Sequence, residues 1–180
     1  MKIKSLPYTP ISTLRQIVLT YFEDHGEAFT GSILHVGSGP DTFDYGQYFP
    51  NAERYRCLNK WGGLGGGNFP NVDIHADVQH MPEISDDSED VVIATFFLFQ
   101  VENVNAAFNE FKRVLKPRGL FITTLTGSGW KGSKHYHVWT NEKAKILVSN
   151  FFRIIEFKEG DIGAFLVGSN QDEFREVKVI

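Results

Sequence analysis

A short apolar segment, Ile33-Leu34-His35-Val36, runs straight into Gly37-Ser38-Gly39-Pro40, and the chain after it alternates between strand-like and helix-like stretches. Residues 53–58, 72–75, 90–97 and 120–124 read as further strands. Asn103 to Leu115 reads as a helix with Val104, Ala107, Phe108, Phe111, Val114 and Leu115 on one face, ended by Lys116-Pro117. A last helix, capped by Thr140, runs through Asn150. Residues 152–157 and 163–168 then form two strands joined by Glu159-Gly160-Asp161. Such alternation favours a mostly parallel sheet covered on both faces, and the final hairpin adds an antiparallel edge. The pattern therefore predicts a doubly wound α/β fold with seven strands.

Upstream, Thr9 and Pro10 can open an amphipathic helix whose apolar positions are Ile11, Leu14, Ile17, Val18 and Phe22, with Gly26 as its stop. A chain of 180 residues suits one domain. We expect a helical segment over 1–30, a core over 31–170 and a tail over 171–180. Met1 to Pro10 has no apolar run before a cleavage site, and no stretch is long and apolar enough for a membrane helix, so a cytoplasmic protein without membrane contact is expected. The single cysteine, Cys57, leaves no internal disulfide framework and no multi-cysteine metal site. A net charge of -4 argues against a partner with a phosphate backbone, although it leaves a protein partner open.

In open α/β sheets ligands bind beyond the C-terminal ends of the strands, which is where Gly37-Ser38-Gly39 falls. Glycine there lets the backbone approach a ligand, and the following N–H groups can hold an anion. A dinucleotide fingerprint would need a third glycine where Thr42 stands and an acid near Asn59. Both departures count against a nicotinamide cofactor.

Four segments in order give a sharper reading. Ile33 to Pro40, Ala76-Asp77-Val78-Gln79-His80-Met81-Pro82, Ser88 to Ile93, and Phe111 to Ile122 with Lys116-Pro117-Arg118-Gly119 together resemble the motifs of class I S-adenosylmethionine-dependent methyltransferases, in the branch described as type 11. The resemblance implies a Rossmann-like methyltransferase fold and S-adenosylmethionine as cofactor. It implies that Gly37, Ser38 and Gly39 cradle the methionine part and that Asp77, beside Val78, reads the adenine amino group. Asn59 would then face the ribose, with Ala94 at the fourth strand's exit. Asn59 stands where the family carries an acid, His35 where an acid precedes the glycines, Arg118 where a glycine follows the proline, and Phe99-Gln100 where many members have Glu-His.

Methyl transfer asks the protein chiefly to hold two reactants in line, worth roughly 7–11 kcal/mol, so an absent general base changes the acceptor more than it forbids the reaction. The loop from Gly127 to Trp139 offers His135 and His137 as bases, with Gln100 nearby in the family's acceptor region, and Lys131 and Lys134 to steer an anion. The two histidines could also be read as a metal pair, but with no cysteine or clear acidic partner close by no metal is expected. Trp61 to Asn68 is a second candidate lid. The expected function is methyl transfer to a small molecule or a sugar or lipid precursor, the alternative being a non-catalytic binding or partner module of the same fold.

Overall fold

A computed structural model describes residues 12–38, 45–60, 71–126 and 136–171. Its seven-stranded sheet runs β3-β2-β1-β4-β5-β7-β6, with β1 Ser32–Val36, β2 Arg54–Asn59, β3 Ile74–His75, β4 Glu89–Ala94, β5 Leu115–Thr126, β6 Arg153–Glu159 and β7 Gly163–Ser169. The first five strands pair in parallel, whereas β7 lies antiparallel to both β5 and β6. The mostly parallel sheet with an antiparallel C-terminal hairpin is thus as the sequence pattern requires.

Alternating side chains along each strand feed two cores. Leu34, Val36, Leu58, Val92 and Phe121 point to one face, covered by α2 (Val104–Val114) and α3 (Asn141–Ser149). There Phe108, Phe111, Phe121 and Phe152 pack ring on ring, Phe121 and Phe152 with centroids 4.7 Å apart. Ile33, Val91, Ile93, Ile122, Phe165 and Val167 point the other way, against Leu14, Val18, Tyr21 and Phe22 of α1 (Thr13–His25). Thr140 caps α3 as expected, its hydroxyl accepting from Lys143 N–H.

Several element boundaries differ from the sequence reading. Thr9, Pro10 and Ile11 lie outside the described residues, and the observed cap of α1 is Ser12, whose hydroxyl accepts from Arg15 N–H at 3.2 Å. A bond pair from another part of the chain fixes the same end: Leu14 N–H donates to Asp161 at 3.2 Å, and Asp161 N–H donates to Thr13 Oγ1 at 2.9 Å. The helix does stop at Gly26, but in right-handed conformation (φ -61). Glycine is needed there because a Cβ would lie 2.1 Å from Tyr48 O. Strand β4 ends at Ala94, not Phe97, because Phe96 turns to φ +61. Strand β5 begins directly at Leu115, through Pro117, where a register shift lets Glu89 pair with Leu115 before Val91 pairs with Leu120.

The two ends of the sheet differ in kind. At the N-terminal end of β4, the fully buried Glu89 accepts from Arg56 at 2.6 Å and Arg54 at 3.3 Å, while Asp90 accepts from Lys116 and Ser32 N–H. Charges close that end. The C-terminal end carries the glycine turn and the loops, so the site belongs there.

Arg118 is exposed and sits at φ +65. Replacing it with glycine should raise stability by about 0.5–1 kcal/mol, the left-handed penalty of roughly 1–2 kcal/mol less glycine's extra chain entropy. Urea unfolding checks this, with Arg118→Ala, which keeps the strain, expected to give no gain.

Candidate active site

At the exit of β1 the chain reaches Gly37 at φ +70, a conformation that side chains other than glycine's rarely adopt. Space imposes the same choice, since a Cβ on Gly37 would lie 2.3 Å from the Phe97 ring. That ring, sent back from the exit of β4, crosses the point where β1 has β2 on one side and β4 on the other. Gly37 N–H donates to Leu58 O at 2.9 Å. Buried Ser38 directs its N–H and its hydroxyl at the same carbonyl, at 3.4 and 3.5 Å. Gly39 lies outside the described residues, as do Thr42, the loop 61–70 and residues 127–135 with His135, Lys131 and Lys134.

Asn59, at the end of β2, uses both ends of its carboxamide. Its Nδ2 donates to Ser38 O at 2.6 Å, and its Oδ1 accepts from Lys60 N–H at 2.8 Å. A carboxylate could not make the first bond, because it has no proton to give the carbonyl. The residue that departs from the family pattern therefore braces the glycine turn from the neighbouring strand.

Two residues past β3, Asp77 faces the same rim. Its Oδ1 accepts from Gln79 N–H and Gln79 Nε2, both at 3.0 Å, and its Oδ2 accepts from Lys60 Nζ at 2.6 Å. Partial burial works to raise its pKa, but the bonds from Lys60 and Gln79 outweigh this and hold it below the usual carboxylate range. Asp77 is thus ionised and nearly saturated with donors. Gln79 continues the chain of contacts, its Oε1 accepting from Asn103 N–H at 2.8 Å just before α2. Val78 is packed in the core, and Ala94 is fully buried with its carbonyl accepting from Thr123 Oγ1 at 2.7 Å.

The acceptor-side candidates meet on the short 3-10 turn Leu98–Gln100. Phe99 O accepts from Tyr136 N–H at 2.8 Å and His137 N–H at 3.3 Å, so Gln100 and His137 are neighbours across one backbone contact. The His137 ring stacks on Trp139 with centroids 5.2 Å apart, and its Nε2 lies 3.2 Å from Glu102 O. Tyr136 and Glu102 act electrostatically on Lys60, which brings this segment to the Asp77 rim.

On the α1 face of the same rim, Thr95 Oγ1 lies 3.3 Å from Tyr45 OH, and Phe96 N–H donates to Thr124 Oγ1 at 2.8 Å. A phenylalanine at φ +61 stores about 1–3 kcal/mol of backbone strain. Arg15 of α1 lies over its ring, 4.8 Å from the centroid. Lys60 and Arg15 had no sequence signal, Gln79 entered only as part of the segment Ala76 to Pro82, and Phe96 and Phe97 read as strand. His35 is a structural group, 2% exposed, with Nδ1 2.9 Å from Tyr55 OH and its ring against Tyr45.

Residues 56–123 match the family model described as a methyltransferase domain, a stretch that holds Asn59, Asp77 and Ala94 but begins after the glycine turn. The S-adenosylmethionine-dependent methyltransferase from Aquifex aeolicus is 15% identical, with 86% of this chain and 88% of that one covered at a TM-score of 0.60. The N-methyltransferase NodS from Bradyrhizobium japonicum, solved with S-adenosyl-L-homocysteine, is 11% identical, with 89% of each chain covered at a TM-score of 0.65. The [4+2]-cyclase SpnF is 16% identical, with 87% of this chain and 81% of that one covered at a TM-score of 0.63. No curated protein matches the chain. The class is therefore plain: this is a Rossmann-like methyltransferase fold. Within it, the chain resembles the class I type 11-like branch.

Burial holds His35 neutral down to about 3 against an ordinary 6.5. Below pH 6.5 the unfolded chain takes up a proton that the folded chain refuses, so this group removes stability as pH falls, by up to ~1.4 kcal/mol per pH unit. Urea unfolding at pH 7 and 4.5 should show His35→Gln losing less stability on acidification than the wild type. An equal loss in both proteins would mean that His35 is not held neutral.

Proposed function

We propose that this chain binds S-adenosylmethionine across the exits of β1, β2 and β3 and catalyses methyl transfer to a small-molecule acceptor. The carrying observation is the convergence of a positive-φ glycine and an ionised aspartate on the C-terminal edge of a sheet with methyltransferase strand order. The residues present fit the cofactor in most respects. Gly37 holds the turn at a positive φ while the Phe97 ring fills the place where its Cβ would lie, and Asp77 is an ionised acceptor of the kind an adenine amino group needs. When bound, the cofactor supplies an electrophilic methyl group on a sulfonium.

The chain's own work is to bind and to align. Gly37, Ser38 and Gly39 take the amino-acid end. Asp77 takes the base by exchanging one of its donors, and Lys60, 66% exposed at its side chain, is the donor most easily released. Val78 and Ala94, packed in the core, support the rim from beneath rather than face a ligand. Gln100 and His137 flank the acceptor side, and His137 or His135 takes a proton where the acceptor must lose one. Cytoplasmic location belongs to the same proposal, supported by a sequence with a single cysteine, which suits a reducing compartment.

A second reading has one specific observation behind it. Asn59 spends one amide proton and one carbonyl lone pair within the protein, so it has less to offer a ribose diol than the acid the family carries there. A binding or partner module of the same fold would need no more, and SpnF carries this architecture under the name of a cyclase.

Calorimetry with S-adenosylmethionine, S-adenosylhomocysteine and NAD separates the readings. Micromolar binding of the first two alone supports methyl transfer, and binding of none of them supports the module. Asp77→Ala should weaken S-adenosylhomocysteine by about 1–3 kcal/mol. It is a cleaner variant than Gly37→Val, whose side chain would strain the backbone and strike Phe97 whether or not a ligand is present.

A further inference from the structure

We propose that Lys60 sets the base selectivity of this site: its ammonium sits on the Asp77 carboxylate, so a 6-aminopurine must compete with it, whereas a 6-oxopurine can accept a bond from it. This rests on the reading of Asp77 as the contact to the base.

Backbone pairing brings the two groups together. Strands β2 and β3 run parallel with Asn59 opposite His75, so Lys60 lies one residue past that pair and Asp77 two residues past it. Ala76 N–H donates to Asn59 O at 3.2 Å and carries the contact beyond the last pair. Lys60 N–H donates to Asn59 Oδ1 at 2.8 Å, which fixes the root of its side chain. Its Nζ then reaches Asp77 Oδ2 at 2.6 Å, across the two strand exits.

The partners differ in freedom. Asp77 is held by its own turn: its carbonyl accepts from His80 N–H at 2.8 Å, and its Oδ1 accepts from Gln79 N–H and Gln79 Nε2, both at 3.0 Å. Gln79 is held in turn by Asn103 N–H. The carboxylate therefore keeps its direction when the lysine leaves it. Lys60 moves on a flexible, exposed four-carbon stem. Its charge is favoured first by Asp77, and also by Tyr136 and Glu102, so a displaced ammonium stays at the rim. An exposed ion pair is weak, and the lysine consequently tunes binding rather than blocks it.

The chemistry of the two purine classes then separates them. The 6-amino group of adenine donates, and the acceptor it meets on Asp77 is already bonded. A 6-oxo group accepts, and an ammonium only donates. A carboxylate alone would repel that oxygen. The pair presents a donor beside an acceptor, where the aspartate by itself would present an acceptor only. Lys60 thus weakens the preference for adenine and admits a hypoxanthine-like base.

The test is calorimetry with S-adenosylhomocysteine and its deaminated counterpart, S-inosylhomocysteine, on the whole chain. Lys60→Met keeps the stem and removes the charge. It should tighten S-adenosylhomocysteine about 2- to 5-fold and weaken S-inosylhomocysteine about 3- to 10-fold. Lys60→Arg, which keeps the charge, should stay close to the wild type with both. In an Asp77→Ala background, Lys60→Met should leave S-adenosylhomocysteine unchanged, because the lysine acts through that carboxylate. Without ligand, the carbon-13 titration of the Asp77 carboxyl should move to a higher midpoint in Lys60→Met. Burial works to raise the pKa of Asp77, and the Lys60 bond is foremost among the contacts that lower it. Should Lys60→Met fail to fold, Lys60→Ala takes its place. Equal S-adenosylhomocysteine affinity in wild type and Lys60→Met, a shift of both ligands in the same direction, or an unmoved Asp77 midpoint overturns the proposal. Equal affinity in wild type and Asp77→Ala shows instead that the base-contact reading is wrong. No binding by the wild type removes the cofactor reading, and base selectivity falls with either.

Discussion

Strand β1 pairs in parallel with β2 on one side and β4 on the other, and the rest of the molecule follows from that placement. A central parallel strand is apolar on both faces, so helices must cover both. It also forces the connections on its two sides to leave in opposite directions, which opens a crevice at its C-terminal end. In this chain the crevice is narrow. Phe97 crosses it, Gly37 yields to that ring by having no side chain, and Leu58 O gathers the amides of the turn.

Around the crevice, polar groups bond chiefly to one another. Asn59 links β2 to the turn after β1, Asp77 links Lys60 to Gln79, and Gln79 links onward to the start of α2. Four separate pieces of chain are joined by side chains that a cofactor would otherwise use. Among the described residues a ligand at Asp77 must therefore exchange bonds with the rim. Such an exchange costs little where the displaced partner is an exposed lysine and more where it is a carboxamide holding a backbone carbonyl. This asymmetry makes the Lys60 bond to Asp77 easier to exchange than the bond by which Asn59 braces the Ser38 carbonyl.

The α1 face adds a second set of groups at the same rim. Aromatic contacts among Phe22, Tyr45, Phe49, Tyr55 and His35 fill the space beneath it and leave His35 uncharged. Above them, Arg15 and Phe96 meet because the helix is tethered to the turn between β6 and β7. Residues about eighty apart in sequence thus form one small surface.

The sequence by itself determined the layer architecture, the glycine turn and the face of α2 that is buried. These depend on periodicity and on single residues with no substitute, and both are local properties of a chain. It also placed Asp77 and Asn59 at strand exits, since strand order in such folds follows from the alternation. Tertiary structure decided what those side chains do. Whether Asn59 holds a ribose or a backbone carbonyl depends on Ser38 lying across the sheet. Whether Arg15 is solvated or stacked depends on Phe96, and whether Phe96 extends a strand or leaves it depends on Thr124. A hydrogen bond is set by distance and angle between groups far apart along the chain, and spacing within a sequence holds no record of either.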